Sequence, residues 1–373
     1  YTIPAGTTPL MSNQSLDIEF SPIDLNTSGS YAFQFYTSLP GDENMSNATL
    51  TKTLVSVANV IGNITDLNVD ENMAEITCGS AKVRVIFYKD DMFRIWLAPT
   101  GTFLNPAGDH IVVSYDYPPF DIGWSDEGDY HLFTTDQLAL RAYKTPLRFS
   151  LYESDNQTMI WNESQGLDYG TRTYQYLEPS EDEYFYGGGM QNGYFSHKGT
   201  KIKISKEIQN WDDGAVPNPV PFYMSTKGYG AFRNTFAPGE YDFRDITAVS
   251  HNENRFDCFY FYGPSLKDIL DGYTELTGRP ILPPRWGLEL GDADCYNAAG
   301  QTTPDVIELV AEQYRDNDLP GGWILPNDGY GCGYTELEYV VEQLHELGFY
   351  TGLWTENGVS QIAWEVGTAG TRL

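Results

Sequence analysis

Three short runs between residues 286 and 356 constrain the fold of this chain more than any other feature. Each run begins with apolar residues typical of a strand and ends in acidic or amide side chains. Two segments with helical spacing separate the runs, and this alternation is typical of parallel β/α units. In such units the functional side chains follow the carboxyl ends of the strands. The runs are WGLELGDAD (286–294), GGWILPNDGYG (321–331) and FYTGLWTENG (349–358).

The sequence also predicts the bounds of these units. The expected elements are strands at 286–290, 322–325 and 349–354 and helices at 302–320 and 335–348. Thr303 is the expected N-cap of the first helix, because Pro304 follows it at the first helical position. Gly348 is expected to end the second helix. The Pro-rich segment RPILPPRW (279–286) precedes the first unit, so we place a domain boundary between residues 280 and 281.

Residues 1–280 carry the alternating polar and apolar pattern of antiparallel strands. The expected strands lie at 81–99, as a hairpin turning at 89–91, and at 110–118, 138–153 and 158–163. One helix is expected at 265–278, with Ser265 as its N-cap and Gly278 as its end. The pattern therefore predicts a large antiparallel β-sandwich over residues 1–280, followed by β/α units over 281–373.

The charge of the chain restricts its partners. The sequence has 22 Lys and Arg against 52 Asp and Glu, a net charge of -30. Nucleic acids and anionic membrane surfaces require a basic surface, so both are disfavoured as partners. No apolar run approaches the ~20 residues of a membrane span. The 27 Tyr, 19 Phe and 8 Trp suit stacking on sugar rings, and they equally suit aromatic-rich β-structure.

The cysteines and the overall composition bear on the compartment. Cys78, Cys258, Cys295 and Cys332 are widely spaced, so they do not predict a zinc site. Disulfides and free thiols both remain open. The chain begins at Tyr1 rather than Met, and it is acidic and rich in Asn and Thr. We therefore expect a processed bacterial protein that is secreted or lies at the cell surface.

Two loops of the first domain are candidates for ligand contact. YFYGGGMQNGYF (184–195) places three glycines after an aromatic strand, which indicates either a tight turn or bulge, or a close approach of backbone to ligand. It lacks the GK[ST] of a phosphate loop. NWDDGAVPNPVPFYMS (210–225) carries Trp211, Asp212 and Asp213 on a segment stiffened by prolines. The part near 210–222 is either a sugar-contacting lid or a solvated acidic loop.

Acids recur at the ends of the three predicted parallel strands. They are Asp292, Asp294, Asp328 and Glu356. Unpaired carboxylates are rare in protein interiors, so their repetition indicates a functional mouth. The alternative is that they are helix caps and turn acids. His345 is expected on a surface. His197, in a glycine-rich stretch, has either a functional or a structural role, and the structural one is favoured.

These stretches resemble glycoside hydrolase family 31, the family of α-glucosidases, α-xylosidases and α-glucosyltransferases. The resemblance is carried by four segments in the expected order. They are YFYGGGMQNG, WDDGAVPNPVPFYMS, GYTELTGRPILPPRWGLELG and GGWILPNDGYG. The third is the most specific, because a run of this type marks the entry into the family's barrel. The resemblance implies an N-terminal sandwich followed by a (β/α)8 barrel.

The resemblance also implies roles for single residues. Asp328 matches the carboxylate that hydrogen-bonds the hydroxyls of the sugar in the −1 subsite. The Asp212–Asp213 pair matches a loop that reaches from the sandwich toward the sugar. The remaining residues expected to contact substrate are Trp211, Asp292, Asp294, Trp354 and Glu356.

Three departures from the family pattern indicate an unusual branch. Met190 stands where the glycine-rich run usually ends in Glu, and Gly291–Cys295 replaces a run of the Cys-Arg-Trp type. The segment 359–373 is short where the family usually has a long insertion. The pattern resembles secreted bacterial transglucosylases that form α-1,6 links, the cycloalternan-forming type.

The expected catalytic residues fall outside this sequence. A (β/α)8 barrel takes about 250 residues, whereas 90 follow Pro283, enough for three of eight strands. In the family the nucleophilic Asp follows the fourth strand and the acid/base Asp follows the sixth. We therefore expect no catalytic carboxylate in this chain and expect the missing strands as a continuation or a second chain.

The implied function is retaining transfer of α-glucosyl groups from α-linked glucans or malto-oligosaccharides, forming α-1,6 links. Two alternatives remain open: an α-glucosidase that hydrolyses terminal α-glucosyl residues, and an inactive glycan-binding homologue. No organic cofactor and no catalytic metal are expected, and a structural calcium ion is compatible with the family.

Overall fold

The computed structural model describes residues 29–36, 49–56, 60–104, 111–205, 212–245, 247–293, 301–326 and 334–353. For the first two ranges the backbone alone is described. The contacts divide the chain into two compact units, Tyr1–Arg279 and Pro280–Leu373.

The described part of the first unit consists mainly of antiparallel strands. In chain order these are β1 (Gly29–Tyr36), β2 (Thr49–Ser56), β3 (Asp66–Asp70), β4 (Met73–Cys78), β5 (Ala81–Lys89), β6 (Met92–Ala98), β7 (Gly123–Asp126), β8 (Tyr130–Thr134), β9 (Leu138–Lys144), β10 (Leu147–Glu153), β11 (Met159–Asn162), β12 (Asp168–Tyr169), β13 (Thr173–Leu177), β14 (Phe185–Met190), β15 (Lys201–Ile204), β16 (Asn218–Ser225), β17 (Tyr229–Arg233), β18 (Gly239–Phe243), β19 (Thr247–His251) and β20 (Phe256–Tyr262).

These strands form one large sheet and several smaller ones. Among the described residues the large sheet has the order β14-β16-β17-β20-β6-β5-β4-β3, and every neighbouring pair is antiparallel. Two five-stranded sheets have the orders β11-β10-β9-β8-β7 and β12-β13-β19-β18-β15, and β1 pairs with β2. The predicted hairpins at 81–99 and 138–153 are confirmed, as is the strand at 158–163.

The three larger sheets share one apolar core. Along β5 the side chains alternate, so Val83, Val85 and Phe87 are buried. They belong to one cluster with Phe149 of β10 and Tyr241 of β18, which lie in the two five-stranded sheets. Because the sheets pack face to face over this cluster, the predicted antiparallel β-sandwich is confirmed.

A helix covers the opposite face of the large sheet. This helix, α1 (Leu266–Thr277), begins at Ser265 with a reciprocal capping box to Asp268 and ends at Gly278, as predicted. Its buried Ile269 and Leu276 pack in a second cluster with aromatic residues of the sheet. The capping residues and the buried apolar residues therefore define the same helix.

The strand predicted at 110–118 is wrong over its described residues, 111–118, which adopt no regular strand. The Val113 N–H donates instead to the Leu276 carbonyl at the end of α1, 2.9 Å away. Tyr117 packs against Tyr88, with ring centroids 5.4 Å apart. The side chains of this segment therefore pack against aromatic residues, and its backbone hydrogen-bonds to a carbonyl at the end of α1.

The second unit contains a three-stranded parallel sheet among its described residues, in the order β21 (Gly291–Ala293), β22 (Trp323–Leu325) and β23 (Tyr350–Thr351). Between β21 and β22 lie a π-helical turn (Ile307–Ala311) and α2 (Glu312–Asp316). Between β22 and β23 lies α3 (Leu337–Glu346), followed by Gly348 with φ 80°. The predicted order of strands and helices is confirmed.

Two local predictions in this unit are wrong. Residues 285–288 form a 3-10 turn rather than the predicted strand at 286–290, and Leu288 and Leu290 are exposed. The Gly287 N–H donates to the Pro284 carbonyl, which closes this turn and delays the strand to Gly291.

The cap of the first helical segment also differs. The Thr302 N–H and hydroxyl donate to the Asp305 carboxylate at 2.6 and 2.9 Å, so Thr302 takes the place expected for Thr303. The Thr303 hydroxyl instead accepts from the Thr335 N–H at 2.9 Å. The helical bounds are correspondingly shorter than the predicted 302–320.

Candidate functional site

The glycine-rich segment forms a tight backbone junction at the edge of the large sheet. Strand β14 pairs with β16, and the register shifts between Gly187 and Gly189, so the predicted bulge is confirmed. Gly187, Gly188 and Gly189 all have positive φ, between 75° and 110°. A Cβ on Gly189 would clash with the Asn218 carbonyl oxygen and lie 2.7 Å from the Val220 nitrogen. Only glycine fits this approach without strain.

The buried side chain of His197 supports this junction. Its side chain is 2% exposed, and its Nε2 lies 2.8 Å from the Gly187 carbonyl oxygen. Its backbone N–H donates to the Phe185 carbonyl at 2.9 Å. Burial lowers the pKa of the imidazole, which favours the neutral ring that can donate to Gly187. The expected structural role of His197 is confirmed.

The segment after the junction is joined to the acidic loop. The Asn192 N–H donates to the Ala215 carbonyl at 3.0 Å, and the Gly214 N–H donates to the Asn192 carbonyl at 2.8 Å. Ala215 and Val216 are buried and anchor the acidic loop to the unit. The two candidate loops therefore form one structure, which we call the paired loops (residues 190–195 and 212–216).

The paired loops hold Asp213 at a defined place. A Cβ on Gly193 would lie 2.9 Å from Cγ and Oδ1 of Asp213, so the carboxylate rests against the Gly193 backbone. Gly193 has φ 84°, which also favours glycine. Asp212 and Asp213 are both exposed, and the Asp212 carbonyl accepts from the Ala215 N–H at 3.2 Å. The loop thus presents two carboxylates to solvent on a braced backbone.

The first of the paired loops also carries an exposed thioether group, Met190, and an exposed aromatic ring, Phe195. Phe195 is 91% exposed, and its ring meets the edge of Tyr186 at 5.8 Å. Met190, which stands in place of the family's usual Glu, accepts from the Asn218 amide at 3.2 Å. Sequence reasoning missed Phe195, although the aromatic pair directly after Asn192–Gly193 was a signal for an exposed platform after a turn.

Asp292 lies in the second unit on β21 and is half-buried. The Tyr314 hydroxyl donates to its Oδ2 at 3.0 Å, and burial together with this carboxylate raises the pKa of Tyr314. This hydrogen bond ties the strand to the helical segment that follows it. A structural role thus accounts for at least one oxygen of Asp292.

Five of the predicted contact residues lie outside the described residues. They are Trp211, Asp294, Asp328, Trp354 and Glu356. Cys295 and Cys332 also lie there, whereas Cys78 and Cys258 are buried free thiols. His345 is exposed, as predicted.

The described residues contain no group of three or more His, Cys, Asp or Glu side chains arranged to hold a metal ion. A search of the same residues finds no helix long and apolar enough to cross a membrane.

Comparison with known proteins shows what this chain is similar to. The glycosyl hydrolase 31 N-terminal galactose mutarotase-like domain matches residues 82–242. An α-glucosidase 2 of Bacillus thermoamyloliquefaciens is 26% identical over 74% of the chain and 36% of its own length. An isomaltosyltransferase of Sporosarcina globispora is 24% identical over 76% of the chain and 29% of its own length. The chain thus spans about a third of these relatives.

Solved structures share the fold. A family 31 dextranase of Flavobacterium johnsoniae, in complex with isomaltotriose, superposes with a TM-score of 0.70 at 21% identity, covering 79% of this chain and 38% of that one. A cycloalternan-forming enzyme of Listeria monocytogenes, with a pentasaccharide, superposes with a TM-score of 0.64 at 18% identity, covering 83% of this chain and 34% of that one. By the matched domain and these relatives, the chain is similar to members of glycoside hydrolase family 31.

Proposed function

We propose that this chain is the sandwich and barrel entry of a retaining enzyme that transfers α-glucosyl groups from α-glucans or malto-oligosaccharides and forms α-1,6 links. The observation that carries the proposal is the braced pair of loops, which exposes Asp212 and Asp213 on one loop and the ring of Phe195 on the other. Carboxylates accept hydrogen bonds from sugar hydroxyls, and a flat ring stacks on the apolar face of a sugar. Transfer is supported by the similarity to the isomaltosyltransferase.

The catalytic carboxylates are proposed to come from beyond this chain. A retaining mechanism uses a nucleophile and an acid/base about 5–5.5 Å apart. The described residues of the second unit provide three parallel strands, which support the first part of a (β/α)8 barrel. We propose that the remaining strands, as a continuation or a second chain, complete the barrel, because the relatives are about three times as long as the matched part.

In this scheme the residues of this chain bind the substrate. We propose that Asp328 holds hydroxyls of the −1 sugar, that Asp212 or Asp213 assists from the sandwich, and that Trp354 and Glu356 line the pocket. Asp292 and Asp294 are proposed to lie near its mouth, and Trp211 is proposed to contact sugar from the loop that carries Asp212 and Asp213. The acidic, Asn- and Thr-rich composition supports a secreted or surface-bound bacterial protein.

Hydrolysis is the second candidate, because another relative that matches about three quarters of the chain is an α-glucosidase. Product analysis of the intact protein with maltotetraose separates the two. New α-1,6-linked oligosaccharides support transfer, whereas glucose and shortened chains alone support hydrolysis. Unchanged maltotetraose would contradict both and leave the glycan-binding homologue.

The role of the paired loops is tested by Asp213→Asn, which preserves the size of the side chain against Gly193. Loss of a charged hydrogen bond costs about 1.5–3 kcal/mol, so kcat/KM should fall roughly 10- to 100-fold. The control is Asp129→Asn, at an exposed turn of the same unit. An Asp213 variant as active as the control would remove this loop from the site.

A further inference from the structure

A concave surface lies in the first unit and shares no residue with the paired loops. It is a groove of about 770 Å³ at the turn between β5 and β6. Its walls come from this turn, from residues 117–121 and Gly123, from the turn after β8 and from Glu275 of α1. Four segments distant in sequence therefore converge on one cavity of the size that small ligands occupy.

Hydrogen bonds between the segments fix the shape of this groove. The Thr135 hydroxyl donates to the Asp90 carbonyl at 2.7 Å, and the Asp136 N–H donates to Oδ1 of Asp90 at 3.3 Å. Toward α1, Lys89 Nζ lies 3.0 Å from Glu275 Oε2. The walls are thus braced before any ligand arrives, which reduces the ordering cost of binding.

Aromatic rings line the groove. Tyr117 is half-buried, and its centroid lies 5.4 Å from that of Tyr88. Phe120 is half-buried and packs against the main core. Both rings are already fixed by packing on one side, so ligand binding to their groove-facing surface costs little further side-chain entropy.

The charges of the groove restrict its ligand. Asp91, Asp136 and Glu275 are among its carboxylates, while its cation Lys89 is already paired with Glu275. An anionic ligand would be repelled by these carboxylates. A metal ion is disfavoured because these acids do not converge as a group of three in the described residues. Carboxylate acceptors next to ring faces match a neutral molecule with many hydroxyl donors.

We infer that this groove is a second carbohydrate-binding site, which holds a segment of a neutral oligosaccharide by stacking on Tyr117 and by hydrogen bonds to the carboxylates of the rim. The inference stands apart from the proposed function, because the groove would bind glycan whether or not the protein has catalytic activity. On a polymeric substrate such a site would raise the local concentration of chain ends.

Affinity electrophoresis of the intact protein in gels containing soluble starch tests this inference. Tyr117→Ala should weaken binding about tenfold, and Tyr117→Phe, which keeps the ring, should restore it. Asp136→Asn, at an exposed position, should weaken binding without any loss of core packing. Trp124→Ala serves as the control, because Trp124 is 53% exposed on neighbouring β7 and does not line the groove.

The background for these measurements is Asp213→Asn, so that binding at the paired loops is weakened in every sample. Melting temperatures within about 2 °C of this background show that each variant is folded. Unchanged starch binding by both Tyr117→Ala and Asp136→Asn would overturn the inference. Binding that is abolished by EDTA and survives Tyr117→Ala would overturn it in favour of a cation site. If maltotetraose is not converted but these losses are seen, the groove stands and the enzymatic proposal fails.

Discussion

Replacing the buried carboxyl of Glu163 with Gln should change how the stability of the first unit depends on pH. Glu163 is fully buried, and its two oxygens accept from the Phe149 N–H at 2.7 Å and from the Gln175 amide at 2.8 Å. Burial outweighs these donors and raises the pKa of Glu163 from its ordinary value of 4.5 to about 7. At pH values between these two pKa values, the folded state therefore keeps a proton on Glu163 that the unfolded state has already released.

The sign and size of the effect follow from this difference. Since the folded state binds more protons, the contribution of Glu163 to stability is fully present below pH 4.5 and is lost as pH rises through about 7. At about 1.4 kcal/mol per pH unit, the loss amounts to about 3 kcal/mol. Glutamine stays uncharged at every pH. A half-turn of the Gln175 amide lets it accept from the new amide and donate to the Tyr260 hydroxyl, which now donates to Gln175 at 2.8 Å.

Urea unfolding followed by tryptophan fluorescence, from pH 4.5 to 7.5, measures the effect. The free energy of unfolding of the wild type, minus that of Glu163→Gln, should fall by about 3 kcal/mol across this range. Glu178→Gln makes the same chemical change at an exposed position and serves as the control. A difference that stays constant, or that rises with pH, would refute the assignment of a buried neutral carboxyl.

Three further outcomes follow from local geometry. Gly189→Ala should lower the free energy of unfolding by more than about 1 kcal/mol in urea titrations. The control is Gly62→Ala, which should cost less than half of that, because nothing lies within 4 Å of the added Cβ and φ is not in the left-handed region. Equal costs for the two substitutions would contradict the bulge. Ser265→Ala should cost about 1 kcal/mol by removing the cap of α1, and an unchanged urea midpoint would contradict it. For His251, burial lowers the pKa to about 3, so the stability of the wild type relative to His251→Gln should decline as pH falls below 6.5; a relative stability that is constant from pH 7 to pH 4 would contradict this burial.

Elements governed by local chemistry could be predicted from the sequence. The helix at 265–278 has its cap, its apolar stripe and its terminal glycine within one segment, and all three agree with the structure. The hairpin at 81–99 likewise carries its turn between two alternating runs. In such segments the sequence contains both the element and its boundaries.

Elements governed by distant contacts could not be predicted. Residues 111–118 alternate like a strand. Their backbone, however, hydrogen-bonds to the end of α1, and their aromatic side chains pack against Tyr88. The run 286–290 is apolar, yet two prolines before it set up a turn that leaves Leu288 exposed. The partners of residues 111–118 are distant in sequence and so are not visible in the local pattern, whereas the prolines adjoin the run 286–290 and were a local signal for the turn.

The candidate site shows the same division. The acidic loop was expected to contact ligand because it combines Asp212, Asp213 and stiffening prolines. Its pairing with Asn192 and Gly193 was missed, because that pairing depends on the bulge at Gly188, which redirects a segment distant in sequence. The roles of Asp328, Trp354 and Glu356 stay predictions.

The configuration of the first product tests the central proposal most directly. The intact protein is incubated with maltotetraose inside an NMR tube, and the anomeric proton of the newly formed product is followed before mutarotation. A retaining family 31 enzyme should yield the α-anomer first, or new α-linked transfer products. Initial appearance of the β-anomer, or no conversion of maltotetraose and related α-glucans, would contradict the proposal.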